Sequence, residues 1–148
     1  MSARHAAGIT LVVVALASRC ASGPPAPARP GPEEACRFCR MTIAESRLVS
    51  QLVAPREDAM FFDDLGCLRA FLEGQPRLAS GTVTYVTDHR TGQWVRADLA
   101  LYTRHDAIAT PMGSHVVAHE SPASRDADPA TAGGRPVPFE NMFPVRPR

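Results

Sequence analysis

Hydrophobic and polar positions divide the middle of the chain into short, well-marked elements. The run 48–54, Leu-Val-Ser-Gln-Leu-Val-Ala, is apolar and partly β-branched, which predicts a strand. Pro55 to Asp58 is polar and opens on proline, so it reads as a turn, and Ala59-Met-Phe-Phe62 reads as the returning strand of a hairpin. Asp63-Asp64 then offers a helix cap, and Leu65, Leu68, Phe71 and Leu72 recur at helical spacing up to Gly74. A second pair of strands is predicted at 82–87 and 93–96, joined by Asp88-His-Arg-Thr-Gly92, whose glycine suits a hairpin loop.

A faint repeat runs through this pattern. Met41, the strand 48–54 and Phe61-Phe62 are echoed by Met112, Val116-Val117-Ala118 and Val137-Pro-Phe139. The intervening stretch Ser121 to Gly134 is rich in Pro, Asp, Ala and Gly and predicts only a weak helix. The expected fold is therefore α+β, with two small related strand–strand–helix half-domains packed together. Their ranges are 35–80 and 81–143, with a tail at 144–148.

The N-terminus follows a different rule. One basic residue, Arg4, precedes an apolar run from Ala6 to Ala17 that ends in small residues, as in a bacterial secretory signal spanning 1–19. Leu16-Ala-Ser-Arg19-Cys20 is similar to a lipobox, in which Cys20 would carry lipid and become the mature N-terminus; plain cleavage near Ala21 is the alternative. The segment 20–34 that follows holds five prolines and no apolar period, and is expected to stay extended as a semi-rigid tether. These features place the folded part on the periplasmic side of a bacterial membrane, anchored by its lipid.

Charge removes one class of partner. Sixteen basic residues, all arginine, face 15 acidic ones, for a net charge of +1. That balance lacks the basic footprint of a nucleic-acid binder.

The densest chemistry is Cys36-Arg-Phe-Cys39-Arg-Met41. Two thiols separated by two residues can reach one atom, and Met41 adds a thioether on the same loop. Soft sulfur donors suit Cu(I), whereas zinc has little use for methionine. Met112 lies in Thr110-Pro-Met-Gly113, where proline and glycine would fix its direction. Two other readings of the thiols stay open. Cys36 and Cys39 could be an exchanging dithiol of a membrane-tethered oxidoreductase, although no long helix follows them. Cys36 could instead pair with Cys67 as a staple in a structural envelope lipoprotein. Cys67 is either a ligand or part of the helix packing. Met60 reads as core. His115 and His119 read as surface residues, and His89 and His105 fall in loops with no evident partner. Asp63-Asp64 is explained by helix capping. No Ser-His-Asp set, nucleophile elbow or Gly-rich phosphate loop occurs, so no catalysis is expected.

These residues, taken in order, resemble the NosL family, lipoprotein copper chaperones that help mature nitrous oxide reductase. The resemblance rests on the signal with Cys20, the Cys36-x-x-Cys39-x-Met41 loop, Phe62-Asp-Asp-Leu-Gly-Cys67, Tyr85-Val-Thr-Asp88 and Gly92-Gln-Trp-Val-Arg-Ala97. It continues through Leu99-Ala-Leu-Tyr102, Thr110-Pro-Met-Gly113 and Gly133-Gly134 before Phe139. It implies the two-half-domain fold and a single Cu(I) handed to an acceptor cuproenzyme, with nitrous oxide reductase apoprotein as the suspected acceptor. On this reading Cys39, Met41 and Met112 hold the copper, with Cys36 as a further ligand. Family members more often read Cys-Gly-Met where this chain has Cys39-Arg40-Met41. Arginine there restricts the backbone and adds positive charge beside a cationic cargo.

Overall fold

A computed structural model of the chain describes residues 23–75 and 77–143. The expected signal 1–19, the lipid site Cys20 and the tail 144–148 lie outside the described residues.

The first half forms where the apolar runs placed it. Strands β1 (Ser50–Val53) and β2 (Met60–Phe62) pair antiparallel, with Ser50 opposite Phe62 and Leu52 opposite Met60. Helix α1 (Leu65–Gly74) starts at Asp64, whose carboxylate accepts from the Gly66 N–H at 2.6 Å and so satisfies an orphan donor of the first turn. Strands β3 (Val83–Thr87) and β4 (Trp94–Arg96) complete an antiparallel sheet of order β2-β1-β3-β4. The second sheet has β5 (Leu101–Arg104) at its centre, flanked by β6 (Val116–His119) and β7 (Arg135–Val137). Helix α2 (Pro122–Asp126), a 3-10 turn (Pro129–Thr131) and helix α3 (Phe139–Met142) fill the rest.

The fold is thus α+β with two related halves. Each half runs strand, returning strand, helix and third strand, with the first strand in the middle: β2-β1-β3 and β6-β5-β7. The repeat is offset by one strand from the sequence echo, because β5 corresponds to β1 and β6 to β2. The break between sheets falls between Arg96 and Leu101, since β3 finds its partner in β1.

Asp88, at the end of β3, ties the halves together. It bridges in parallel to Ala118 of β6, and its buried carboxylate accepts from the N–H groups of Thr91 and Glu120 and from the Ser124 hydroxyl. One core spans both halves. Leu52, Phe62, Leu68 and Val86 of the first meet Tyr102, Val116, Ala118 and Phe143 of the second, with Met60 packed against its edge. Full burial of each large apolar side chain contributes about 1.5–3 kcal/mol.

The proline-rich segment does not stand clear of the domain over its described part. The buried amide of Gln51 exchanges two hydrogen bonds with the Ala28 backbone, and Tyr85 donates to the Pro25 carbonyl at 2.7 Å. Those strand side chains supply partners that the extended backbone lacks on its own.

Candidate metal centre

The Cys36–Met41 loop is closed by its own backbone. Ala35 and Thr42 form an isolated bridge, the Cys36 N–H donates to the Met41 carbonyl at 2.8 Å, and the Arg40 N–H donates to the Cys36 carbonyl at 3.0 Å. Closing so tight a loop puts Arg40 at φ 68°, the left-handed region that costs an L-residue energy. The Arg37 N–H donates to the Phe61 carbonyl, which fixes the loop against the end of β2.

That docking brings the thiols onto the start of α1. Sulfurs of Cys36, Cys39 and Cys67 and a carboxylate oxygen of Asp63 all lie within 4.8 Å of one another. Asp63 is the last residue before the cap and Cys67 sits in the first turn of α1, so the four-residue spacing sets both toward the loop. Cys39 donates its S–H to Asp63, at 3.4 and 3.6 Å from the two oxygens. Cys36, Asp63 and Cys67 are buried, while Cys39 is half-buried and forms the open side.

The surroundings of Cys39 and Cys67 favour their protonated forms. Burial raises the Cys39 pKa, and the neighbouring Cys36 and Asp63 push the same way against a backbone hydrogen bond from Met41. Burial raises Cys67 much further, with Asp63 and Cys36 adding to it. A bound cation would replace these protons and remove the repulsion that opposes thiolate formation. Three sulfurs and one carboxylate make a donor set that could hold a metal ion.

Cys36 and Cys39 meet as the sequence suggested, and no disulfide joins either of them to Cys67. The two methionines stay at the surface, Met41 43% and Met112 49% exposed. Met112 is nonetheless tied to the same helix start, because its N–H donates to Asp64 at 2.9 Å. Its loop is fixed by a turn from Thr110 to Gly113, where Gly113 takes φ 69°. The loop presses so closely on α1 that a Cβ on Gly66 would stand 3.1 Å from the Ser114 Cβ.

Sequence reasoning assigned Asp63 to capping along with Asp64; only Asp64 caps, and Asp63 faces the thiols. Two histidine readings also need correction. His119 is not a surface residue but fully buried, and His89 has a partner in Asp128. Both corrections have one cause: β6 is covered on both faces where the halves meet, and Asp128 closes over it from beyond α2. His115 is half-buried and bonds the Ile108 carbonyl, away from the thiols.

The family model for NosL matches residues 27–145, from the docked proline segment past α3. The chain belongs to the NosL family. NosL proteins are copper-binding accessory proteins, and the cysteine cluster gives this member a donor set that fits such a role. No curated protein and no solved structure gives a match.

Proposed function

We propose that this NosL protein is a lipid-anchored periplasmic carrier of Cu(I) that performs no catalysis and hands its copper to a cuproenzyme, nitrous oxide reductase apoprotein being the favoured acceptor. The observation that carries this reading is the convergence of Cys36, Cys39, Cys67 and Asp63 on one point, with Cys39 at the open side. A carrier must release its cargo, and a ligand at the surface gives an incoming thiolate or imidazole a place to begin exchange. Met41 and Met112, exposed beside the loop and the helix start, are suited to meet the ion on its way in or out. Cys20 is the proposed lipid site. Among the described residues, no helix is long and apolar enough to cross a membrane.

Transfer is the direct test. The Cu(I)-loaded protein is mixed anaerobically with copper-free nitrous oxide reductase, the two are separated by size, and copper is measured in each. Copper moving to the reductase, and failing to move from a Cys39→Ser protein, supports the reading. Copper retained by the carrier in the presence of excess apoprotein contradicts it.

A further inference from the structure

A second cluster lies outside the thiol centre, on the seam between the halves. His89 comes from the β3–β4 turn of the first sheet, His119 ends β6 of the second, and Asp128 follows α2. Their ligating atoms lie within 4.8 Å of one another. Both imidazoles aim at the same oxygen: His89 Nδ1 is 2.6 Å and His119 Nε2 3.0 Å from Asp128 Oδ2. The two rings stand edge to face, 75° apart with centroids at 6.2 Å, so they approach that oxygen from different directions instead of stacking.

We propose that His89 Nδ1, His119 Nε2 and Asp128 Oδ2 form a second metal site, selective for a divalent ion such as Zn(II) or Cu(II) rather than Cu(I). Two imidazoles and one carboxylate are the donors of borderline divalent ions, and they contain no soft sulfur. The site is built before any ion arrives. Asp128 Oδ1 is held by the Ala130 N–H at 3.0 Å, and the His89 backbone N–H is held by the Ala118 carbonyl at 2.8 Å.

His119 is 0% exposed and its Nδ1 has no hydrogen-bond partner, so Nε2, the nitrogen that faces Asp128, is the one that anchors the ring. Tetrahedral ligands at ordinary zinc distances stand about 3.3 Å apart. Admitting an ion therefore needs each histidine nitrogen to draw back from Asp128 Oδ2 by under an ångström. The His89 side chain is 18% exposed, which gives an ion an entry path from solvent.

The test is a Zn(II) titration of the full chain labelled with ¹⁵N-histidine, which reports each ring separately from zinc taken up by the thiols. The expected result is a saturable shift of the His89 Nδ1 and His119 Nε2 resonances, with His105 and His115 unmoved. His89→Ala, in an accessible turn, should weaken that binding at least tenfold, and Asp128→Asn should do the same while keeping the side chain's shape. His89 and His119 resonances that stay fixed at millimolar zinc would overturn the proposal, as would a folded His89→Ala protein binding as tightly as the parent.

Discussion

Arg40 offers a prediction in which structure, stability and cargo binding separate. Its φ of 68° is imposed by the closed Cys36–Met41 loop. A left-handed conformation costs an L-residue roughly 1–2 kcal/mol. Glycine escapes that cost but loses about 0.5–1 kcal/mol through the greater freedom of its unfolded chain. The difference favours Arg40→Gly by about 0.5–1 kcal/mol, which for a domain of this size raises Tm by roughly 2–5 °C. Arg40→Ala removes the charge but keeps the strain, so its Tm should stay at or below that of the parent. Both changes delete a cation near the thiol cluster. The side chain is exposed, so at a separation of about 8 Å in water the Coulomb effect is no more than about 0.5 kcal/mol, or twofold in Cu(I) affinity. Thermal unfolding followed by circular dichroism measures the first effect, and chelator competition the second. The reasoning is refuted if Arg40→Gly melts no higher than Arg40→Ala, because the loop would then not be strained at that position.

Other outcomes follow from the same geometry. Burial holds the Cys39 and Cys67 thiols protonated, so Cu(I) affinity should rise with pH, about tenfold per unit for each proton displaced below the thiol pKa; a flat profile from pH 6 to 8 would remove both thiolates from the site. Asp88 has its pKa lowered to about 2 from 3.8: burial opposes the charge, but bonds from Ser124, Glu120 and Thr91 prevail. Its folded pKa is depressed, so about 2 kcal/mol of stability is present above pH 4 and is lost as pH falls toward 2. Asp88→Asn should remove most of that contribution at pH 7 and flatten the acid limb of a urea-unfolding series. The double change Met41→Ala, Met112→Ala should leave Tm within about 2 °C, as both side chains are exposed, and should slow copper transfer to the acceptor while leaving Cu(I) affinity in chelator competition within about twofold; a tenfold loss of affinity would make the methionines resident ligands.

Much of the first half was legible because local signals agreed with tertiary ones. The run 48–54, the proline turn and the Asp64 cap each specify their element without distant partners, and β1, β2 and α1 form there. In the second half β5 escaped notice. Its residues, Leu-Tyr-Thr-Arg, form a short run that becomes the central strand only because β6 and β7 pair on either side. The offset of the internal repeat has the same origin, since methionine spacing drew the echo to β6. At the site, the Cys36–Cys39 spacing was visible, but the roles of Asp63 and Cys67 depend on a loop some 24 residues earlier folding back onto α1. Asp63 was also hidden by a sufficient local explanation, because an Asp pair before a helix already reads as a cap. The histidine cluster was less legible still. Its members are separated by up to 39 residues and meet only where the halves join.

The central claim is that Cu(I) sits among Cys36, Cys39, Cys67 and Asp63. Anaerobic titration of the reduced protein against a competing chromophoric chelator, comparing the parent with Cys67→Ser, tests it most directly. Cys67 is the proposed ligand that the fold adds and the CxxC motif does not contain. The account predicts one tightly bound equivalent in the parent and at least a tenfold loss in a Cys67→Ser protein whose circular dichroism is unchanged. A folded Cys67→Ser protein that holds copper as tightly as the parent would contradict it.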